Sequence, residues 1–155
     1  MNNEKELSLE KLTRMLHEHN FGVLATSGTE YPYTSLVTVS VSDDNQYLLF
    51  PTLRETQKYA NLVRDTHVSV LFDNRSNSGA DSKNLYAISV LGNAREVCDP
   101  LYTSCKEQYV KRHPHLTEFL SMPATALIQV VFNKIIVVEE FGQVTEFDCP
   151  LTLLT

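Results

Sequence analysis

The sequence predicts a mainly β domain: an antiparallel sheet that closes into a small barrel with flanking helices. Two observations carry this reading. Six or seven runs of β-branched and apolar residues recur along the chain, most of them joined by short turns. Helical spacing occurs at the start, once in the middle and before the last strands, without the regular strand–helix alternation of a doubly wound parallel sheet. The 155 residues fit one domain, 1–155, with no internal repeat or low-complexity segment.

The first element is a helix over Ser8 to His19, with Ser8 as N-cap and Leu9, Leu12 and Leu16 at helical spacing. "FGVLATS", Phe21 to Ser27, reads as a buried strand ended by Ser27-Gly28. From Ser35 to Val41 the chain alternates, with Ser35, Val37, Val39 and Val41 on one face and Leu36, Thr38 and Ser40 on the other. Ser42-Asp43-Asp44-Asn45 is turn chemistry, and "QYLLF", Gln46 to Phe50, is the returning strand of a hairpin. A helix follows from about Thr56 to Arg64, then a strand, "HVSVLFDNR", from His67 to Arg75. A polar loop, "SNSGADSKN", leads into a long strand from Leu85 to Val97. Asp99-Pro100 is placed to cap and open a helix running to about Arg112, which Pro114 ends. A short helix around Leu116 to Met122 precedes one or two final strands in "ALIQVVFNKIIVVEEFGQVTEF".

Composition narrows the function classes. Nineteen acidic residues against thirteen Lys and Arg give a net charge of −6, which disfavours general binding to nucleic acid or anionic membrane. Any anion site must be local. The longest apolar stretch, Ala126 to Phe132, is too short to span a bilayer. The opening "MNNEKELSLEKL" lacks the apolar core of a signal peptide, so a cytoplasmic protein is expected. Cys98, Cys105 and Cys149 are odd in number and widely spaced, which fits neither a disulfide framework nor a zinc site. No metal site and no catalytic acid, base or nucleophile is named.

One stretch does suggest a site. In "PTLRETQKYANL", Pro51 to Leu62, a strand end runs into a helix start rich in hydroxyls and bases. Helix N-termini carry unpaired N–H groups and partial positive charge, which suit a phosphate. Thr56 stands at the cap, Thr52 at the strand end, and Lys58 and Arg54 supply cations. The alternative is structural: Thr56 caps the helix and Lys58 lies in solvent.

The order of these pieces resembles the pyridoxamine 5′-phosphate oxidase-like family of flavin-binding split barrels. The matching residues are Leu24-Ala25-Thr26, Gly28, Pro32, the run Ser35 to Val41, Thr56-Gln57-Lys58 with Asn61-Leu62, and "VSVLFDN". The resemblance covers roughly residues 8 to 97, with a weaker echo in the last strands. It implies an antiparallel split barrel and a homodimer holding flavin mononucleotide (FMN) between the two barrels. The phosphate would meet Thr56, Gln57 and Lys58. The ring would lie along Ser35, Leu36 and Val37 and along Phe50, Pro51 and Thr52, where main-chain groups of an open strand pair with its polar edge. Asn74 and Arg75 would reach the flavin, or else serve as a turn residue and a solvated cation. Tyr31, Tyr33 and Tyr59 are candidates to border the ring, or barrel-edge packing.

The chain departs from the family pattern in two places. Ser35 stands where the oxidase has an arginine, and Gln57 replaces the middle arginine of the phosphate triplet. The arginine-containing substrate segment near the end of the oxidase is also missing from "FGQVTEFDCPLTLLT", so vitamin B6 oxidation is not expected. Two further functions therefore stay open beside a flavin redox protein acting on a small substrate. One is haem handling, with His113 or His115 of "KRHPHL" as the iron ligand. The other is a cofactor-free dimeric binding module.

Overall fold

The computed structural model describes residues 7–75 and 84–151. The polar loop expected after Arg75 therefore lies, except for Asn84, outside the described residues. Helix α1 spans Leu9–His17, and the Ser8 hydroxyl accepts the Lys11 N–H at 3.1 Å as the cap. It stops two residues earlier than its spacing predicts. Leu12, Met15 and Leu16 face the core and close one end of the barrel. Strand β1, Phe21–Ser27, then turns back tightly into β2, Pro32–Thr38. A Cβ on Gly28 would meet the Tyr31 carbonyl oxygen at 2.1 Å, so this turn accepts only glycine there.

The chain breaks step at Val39 and resumes as β3, Ser40–Val41, before β4, Tyr47–Leu53. Helix α2 covers Gln57–Arg64, β5 His67–Asp73 and β6 Tyr86–Glu96. Helix α3 is Tyr102–Arg112. A 3-10 turn at Pro114–Leu116 joins it to α4, Thr117–Ser121. The long β7, Thr125–Glu139, and β8, Gln143–Asp148, close the fold around a 3-10 turn at Glu140–Gly142. Asp99-Pro100 does not cap α3. A turn closed by the Leu101 N–H and the Cys98 carbonyl comes first, and Leu101 holds the cap position without a side-chain bond.

All eight strands form one antiparallel sheet in the order β2-β1-β5-β6-β7-β4-β3, with β8 on the far half of β7. The hairpin expected between Ser35–Val41 and "QYLLF" is thus only partly formed. Pro32–Thr38 pairs along its whole length with β1, and only Ser40 and Val41 pair with β4, opposite Leu49 and Leu48. The two ends of the sheet are therefore consecutive pieces of one chain segment, joined through Val39. That connection curls the sheet into a barrel. It also leaves a seam, because β2 and β4 are not hydrogen-bonded to each other.

The alternation in this segment holds as far as Val39: Val37, Val39 and Val41 are buried in the main core and Leu36 is 68% exposed, but Ser40, expected on the outer face, is also buried. "LLF" in β4 has no alternation because both of its faces are covered. Leu48 and Phe50 point into the barrel, and Leu49 packs outward against Tyr109 and Cys105 of α3 and Leu120 of α4.

Helix α3 also stabilises the break at Val39. The Val39 N–H donates to the Asn20 carbonyl at 2.9 Å. The fully buried Tyr109 donates its hydroxyl to the Thr38 carbonyl at 3.1 Å. His113, 3% exposed, donates Nε2–H to the Val39 carbonyl at 2.7 Å. The carbonyls that lose a regular sheet partner at the crossing thus gain side-chain donors. Arg112 adds bonds to the His17 and His19 carbonyls at 2.8 and 2.9 Å, fixing the end of α1 to the same helix.

Two outcomes are expected. Tyr109→Phe strands the Thr38 acceptor and lowers the unfolding free energy by about 1–3 kcal/mol, read as a shift in denaturant midpoint at constant slope. Acid also destabilises the protein early. Burial lowers the pKa of His113, with Arg112 and His115 adding to the effect, and burial lowers that of His19. Both rings stay neutral in the fold while the unfolded chain takes up protons near its ordinary value of about 6.5. Their contribution is complete above that pH and is lost as pH falls below it. Denaturant midpoints measured from pH 8 to pH 5 should fall below about 6.5, and His113→Asn should flatten part of that slope.

Candidate functional site

The seam creates the candidate site. Beyond Val39 the edge of β2 has no strand neighbour, and neither do residues Phe50–Leu53 of β4 on the side away from β7. Pro51, with no N–H to leave unpaired, lies on this open edge. The two edges border a cleft of about 140 Å³. Leu36, Val37 and Thr38 line it from β2, Pro51 from β4, Lys58 from the first turn of α2, and Leu116 and Phe119 from the α3–α4 segment. Four residues expected at the ring and the phosphate (Leu36, Val37, Pro51 and Lys58) therefore meet in one place.

Alternation divides the remaining expected residues between the cleft and the barrel interior. Phe50 is fully buried in the core, and the β4–β7 register turns its main-chain groups to Ile128 of β7, so it does not present polar groups to the cleft. Ser35 shares the inward face of Val37, and its hydroxyl is sealed from solvent without a partner among the described residues. Thr52 is buried beneath α2, with its hydroxyl 3.1 Å from that of Thr56.

The start of α2 is built as its sequence suggests. Thr56 is the N-cap; its hydroxyl accepts the Tyr59 N–H at 3.4 Å and donates to the Leu53 carbonyl at 2.8 Å. That proton is therefore used within the turn. The N–H groups of Gln57 and Lys58 are the ones a helix start leaves without an internal acceptor. Lys58 has no carboxylate partner among the described residues. The other polar groups are occupied. Gln57 Nε2 donates to Asn61 Oδ1 at 2.8 Å, and the wholly buried Asn61 donates to Thr26 Oγ1 at 3.0 Å. Arg54 donates from Nε and a terminal nitrogen to Glu96 Oε1, and from the other terminal nitrogen to the Pro123 carbonyl at 2.8 Å. Tyr59 donates to Glu96 Oε2 at 2.6 Å. The Arg54 guanidinium, followed by the Tyr59 hydroxyl, holds the Glu96 carboxyl below its usual range.

Asn74 and Arg75 do not line this cleft; Arg75 borders a second cavity, which Leu36 shares. Asn74 accepts the Tyr86 N–H and donates to the Asn84 carbonyl, both at 2.8 Å, bridging β5 and β6. Arg75 pairs with Asp73 at 3.2 Å. Tyr31 and Tyr33 are exposed on and beside the β1–β2 turn. The histidines separate: His113 is buried on Val39, and His115 is exposed, its ring 5.9 Å from that of His113. The roles of Tyr109 and Glu96 had no signal in the sequence, Asn61 stood there only as part of the family motif and His113 only as a candidate iron ligand, since each role depends on contact with a distant segment.

A curled antiparallel barrel, open along one seam with a helix start at the opening, defines a split-barrel protein. Residues 8–139 match the family model described as pyridoxamine 5′-phosphate oxidase, and the chain belongs to that family. No curated protein sequence matches it. Solved structures share the fold at low identity. A haem binding protein from Mycobacterium smegmatis superposes with a TM-score of 0.77 at 15% identity, over 88% of this chain and 55% of that one. This chain thus spans little more than half of that protein. An FAD-binding protein from Mesorhizobium loti gives 0.66 at 17% identity, over 84% and 92% of the two chains. A putative pyridoxamine 5′-phosphate oxidase from Listeria innocua gives 0.63 at 24%, over 83% and 95%.

Asn61→Ala removes the donor to Thr26 and the acceptor for Gln57 from a fully buried position. It is expected to cost about 1–3 kcal/mol in a urea unfolding titration.

Proposed function

We propose that this chain is a flavin mononucleotide-binding redox protein acting on a small substrate, assembled as a homodimer with the cofactor at its interface. The observation that carries the reading is the convergence on one cleft of two open strand edges, a helix N-terminus and a lysine with no carboxylate partner among the described residues. The residues present suit the group. Gln57 and Lys58 N–H groups and the Lys58 ammonium would hold the phosphate, with Thr56 ordering the turn and Thr52 supporting it from below. The main-chain groups that β1 and β7 leave free, those of Leu36 and the carbonyl of Pro51, would meet the polar edge of the ring. When bound, the flavin supplies the hydride or electron chemistry; the protein supplies orientation and electrostatics. A cleft of about 140 Å³ is below the range of roughly 300–1,000 Å³ usual for such ligands. A second copy closing over the seam would supply the missing wall.

Haem is the second reading, supported by the likeness to the haem binding protein from M. smegmatis. On this chain the available imidazole would be His115, since the His113 ring is buried and bonded to Val39.

A visible absorption spectrum of the purified protein, taken before and after adding FMN and desalting, separates these readings. Retained flavin bands support the first, and a Soret band the second. A folded dimer retaining neither supports a binding module. Under the flavin reading, Lys58→Ala weakens FMN binding by roughly 1.5–3 kcal/mol, the scale of a charge-assisted hydrogen bond, with an unchanged fold. Equal affinity of the folded variant in a fluorescence titration removes Lys58 from the site.

A further inference from the structure

We propose that a second copy of this chain seats on the outer face of the sheet, across β2, β1, β5, β6, β7 and β8, and closes the open side of the seam cleft. The inference deepens the homodimer reading above and rests on it, but it does not require flavin.

The cross-strand register builds this face. Leu36, Val23, Leu71, Ser89 and Ile136 stand side by side on consecutive strands, one row on the outside of the barrel. Two residues further along the strands, Ala87, Val138 and Val144 form a second row, with Phe21 at the β1 end. Their inward-facing neighbours, Leu24, Val70, Val90 and Val137, belong to the barrel core. The solvent side of an antiparallel sheet is ordinarily polar, yet Phe21, Leu36, Leu71, Val138 and Val144 are all exposed here.

Relief and charge both suit a copy of the same face. A two-fold contact presents one surface twice, so that surface must carry knobs as well as hollows. Phe21 and Leu36 project, 57% and 68% exposed, and Leu71, Ala87 and Val138 line a hollow of about 580 Å³. A chain of net charge −6 repels its own copy, so a self-contact must avoid unpaired acids. The charges bordering the rows are held within the chain. Asp73 pairs with Arg75 at 3.2 Å, Lys134 with Glu146 at 3.2 Å and Asp148 at 3.7 Å, and Glu139 with Lys11 at 2.7 Å. Glu140 accepts the Asn84 N–H at 3.4 Å. Six strands about 4.8 Å apart make a face about 24 Å across, near the width of a stable interface burying roughly 800 Å² per partner. The face also runs into the cleft. Leu36 lines both the cleft and a cavity of about 380 Å³ shared with Phe21, Leu71 and Arg75. A copy seated on the rows therefore stands beside the cleft's opening and supplies its missing wall.

The oligomeric state of the full chain, read by light scattering behind a sizing column, tests this. At about 100 µM, above the micromolar limit of interfaces of this size, the protein should run as a dimer. Leu71→Glu and Val138→Glu, each at an exposed position, should keep the wild-type circular dichroism and raise the dimer dissociation constant about a hundredfold or more. Val63→Glu, on α2 and 60% exposed, should remain dimeric. Hydroxyl-radical footprinting of the unsubstituted protein gives a test that no folding defect can confuse. Leu36, 68% exposed within one chain, should label more slowly than Leu101, which is 49% exposed. A wild-type monomer, a Leu71→Glu or Val138→Glu protein that stays dimeric, or Leu36 labelling faster than Leu101 would each overturn the proposal. A wild-type dimer that Leu71→Glu dissociates but that retains no FMN leaves this interface standing and overturns the flavin reading alone. Retained FMN in a dimer that survives Leu71→Glu overturns this face and leaves the flavin reading intact.

Discussion

Everything else in this structure depends on the crossing at Thr38–Val39. A strand can pair on two sides, but the segment from Pro32 to Val41 does so in succession, first with β1 and then with β4. A change of partner within a strand would leave main-chain carbonyls without their usual N–H donors, at a cost of about 1–3 kcal/mol each if they were buried. Tyr109 and His113 supply the donors. The barrel can therefore curl without completing its last ladder, and the uncompleted ladder is the cleft. Fold and site have one cause: the bonds that close the barrel at Val39 are the same ones that leave β2 and β4 unpaired beyond it.

This explains the placement of the α3–α4 segment. Helix α3 presents Tyr109 and His113 to the crossing and Arg112 to the end of α1. The chain then turns at Pro114–Leu116 and lays Leu116 and Phe119 against the cleft. The wall of the cleft is carried by the element that fixes its apex. A histidine in "KRHPHL" is, on this evidence, a hydrogen-bond donor to an irregular strand. Its neighbour His115, two residues on and exposed, is under no such constraint.

What was legible in the sequence was whatever depends on near neighbours. The period-two run from Ser35 to Val41 reports which side chains face inward, and Val37, Val39 and Val41 do. Thr56 reports a cap, and the helix begins one residue later. Alternation cannot report the partner of a strand, so the hairpin with "QYLLF" was assigned to the whole run when only Ser40 and Val41 form it. Asp99-Pro100 carried a cap signal that tertiary structure overrode, because the turn from Cys98 to Leu101 comes first. The split of the expected site residues follows from the same period. Ser35 and Leu36 are adjacent in sequence and lie on opposite sides of the sheet.

Membership of the pyridoxamine 5′-phosphate oxidase family fixes the frame, and the departures of this chain have to be read within it. Ser35 points into the barrel. Its short neutral side chain supplies no cation to the start of α2. Gln57 spends its amide on Asn61, the buried residue that ties α2 to β1 through Thr26. Arg54, on the turn before α2, is held by Glu96. These three residues each reduce the positive charge available at the start of α2, by orientation, by chemistry and by pairing. The cap at Thr56 and the bonds at the Val39 crossing are made without any of the three. A cleft can therefore keep its family architecture while the charge at its opening changes.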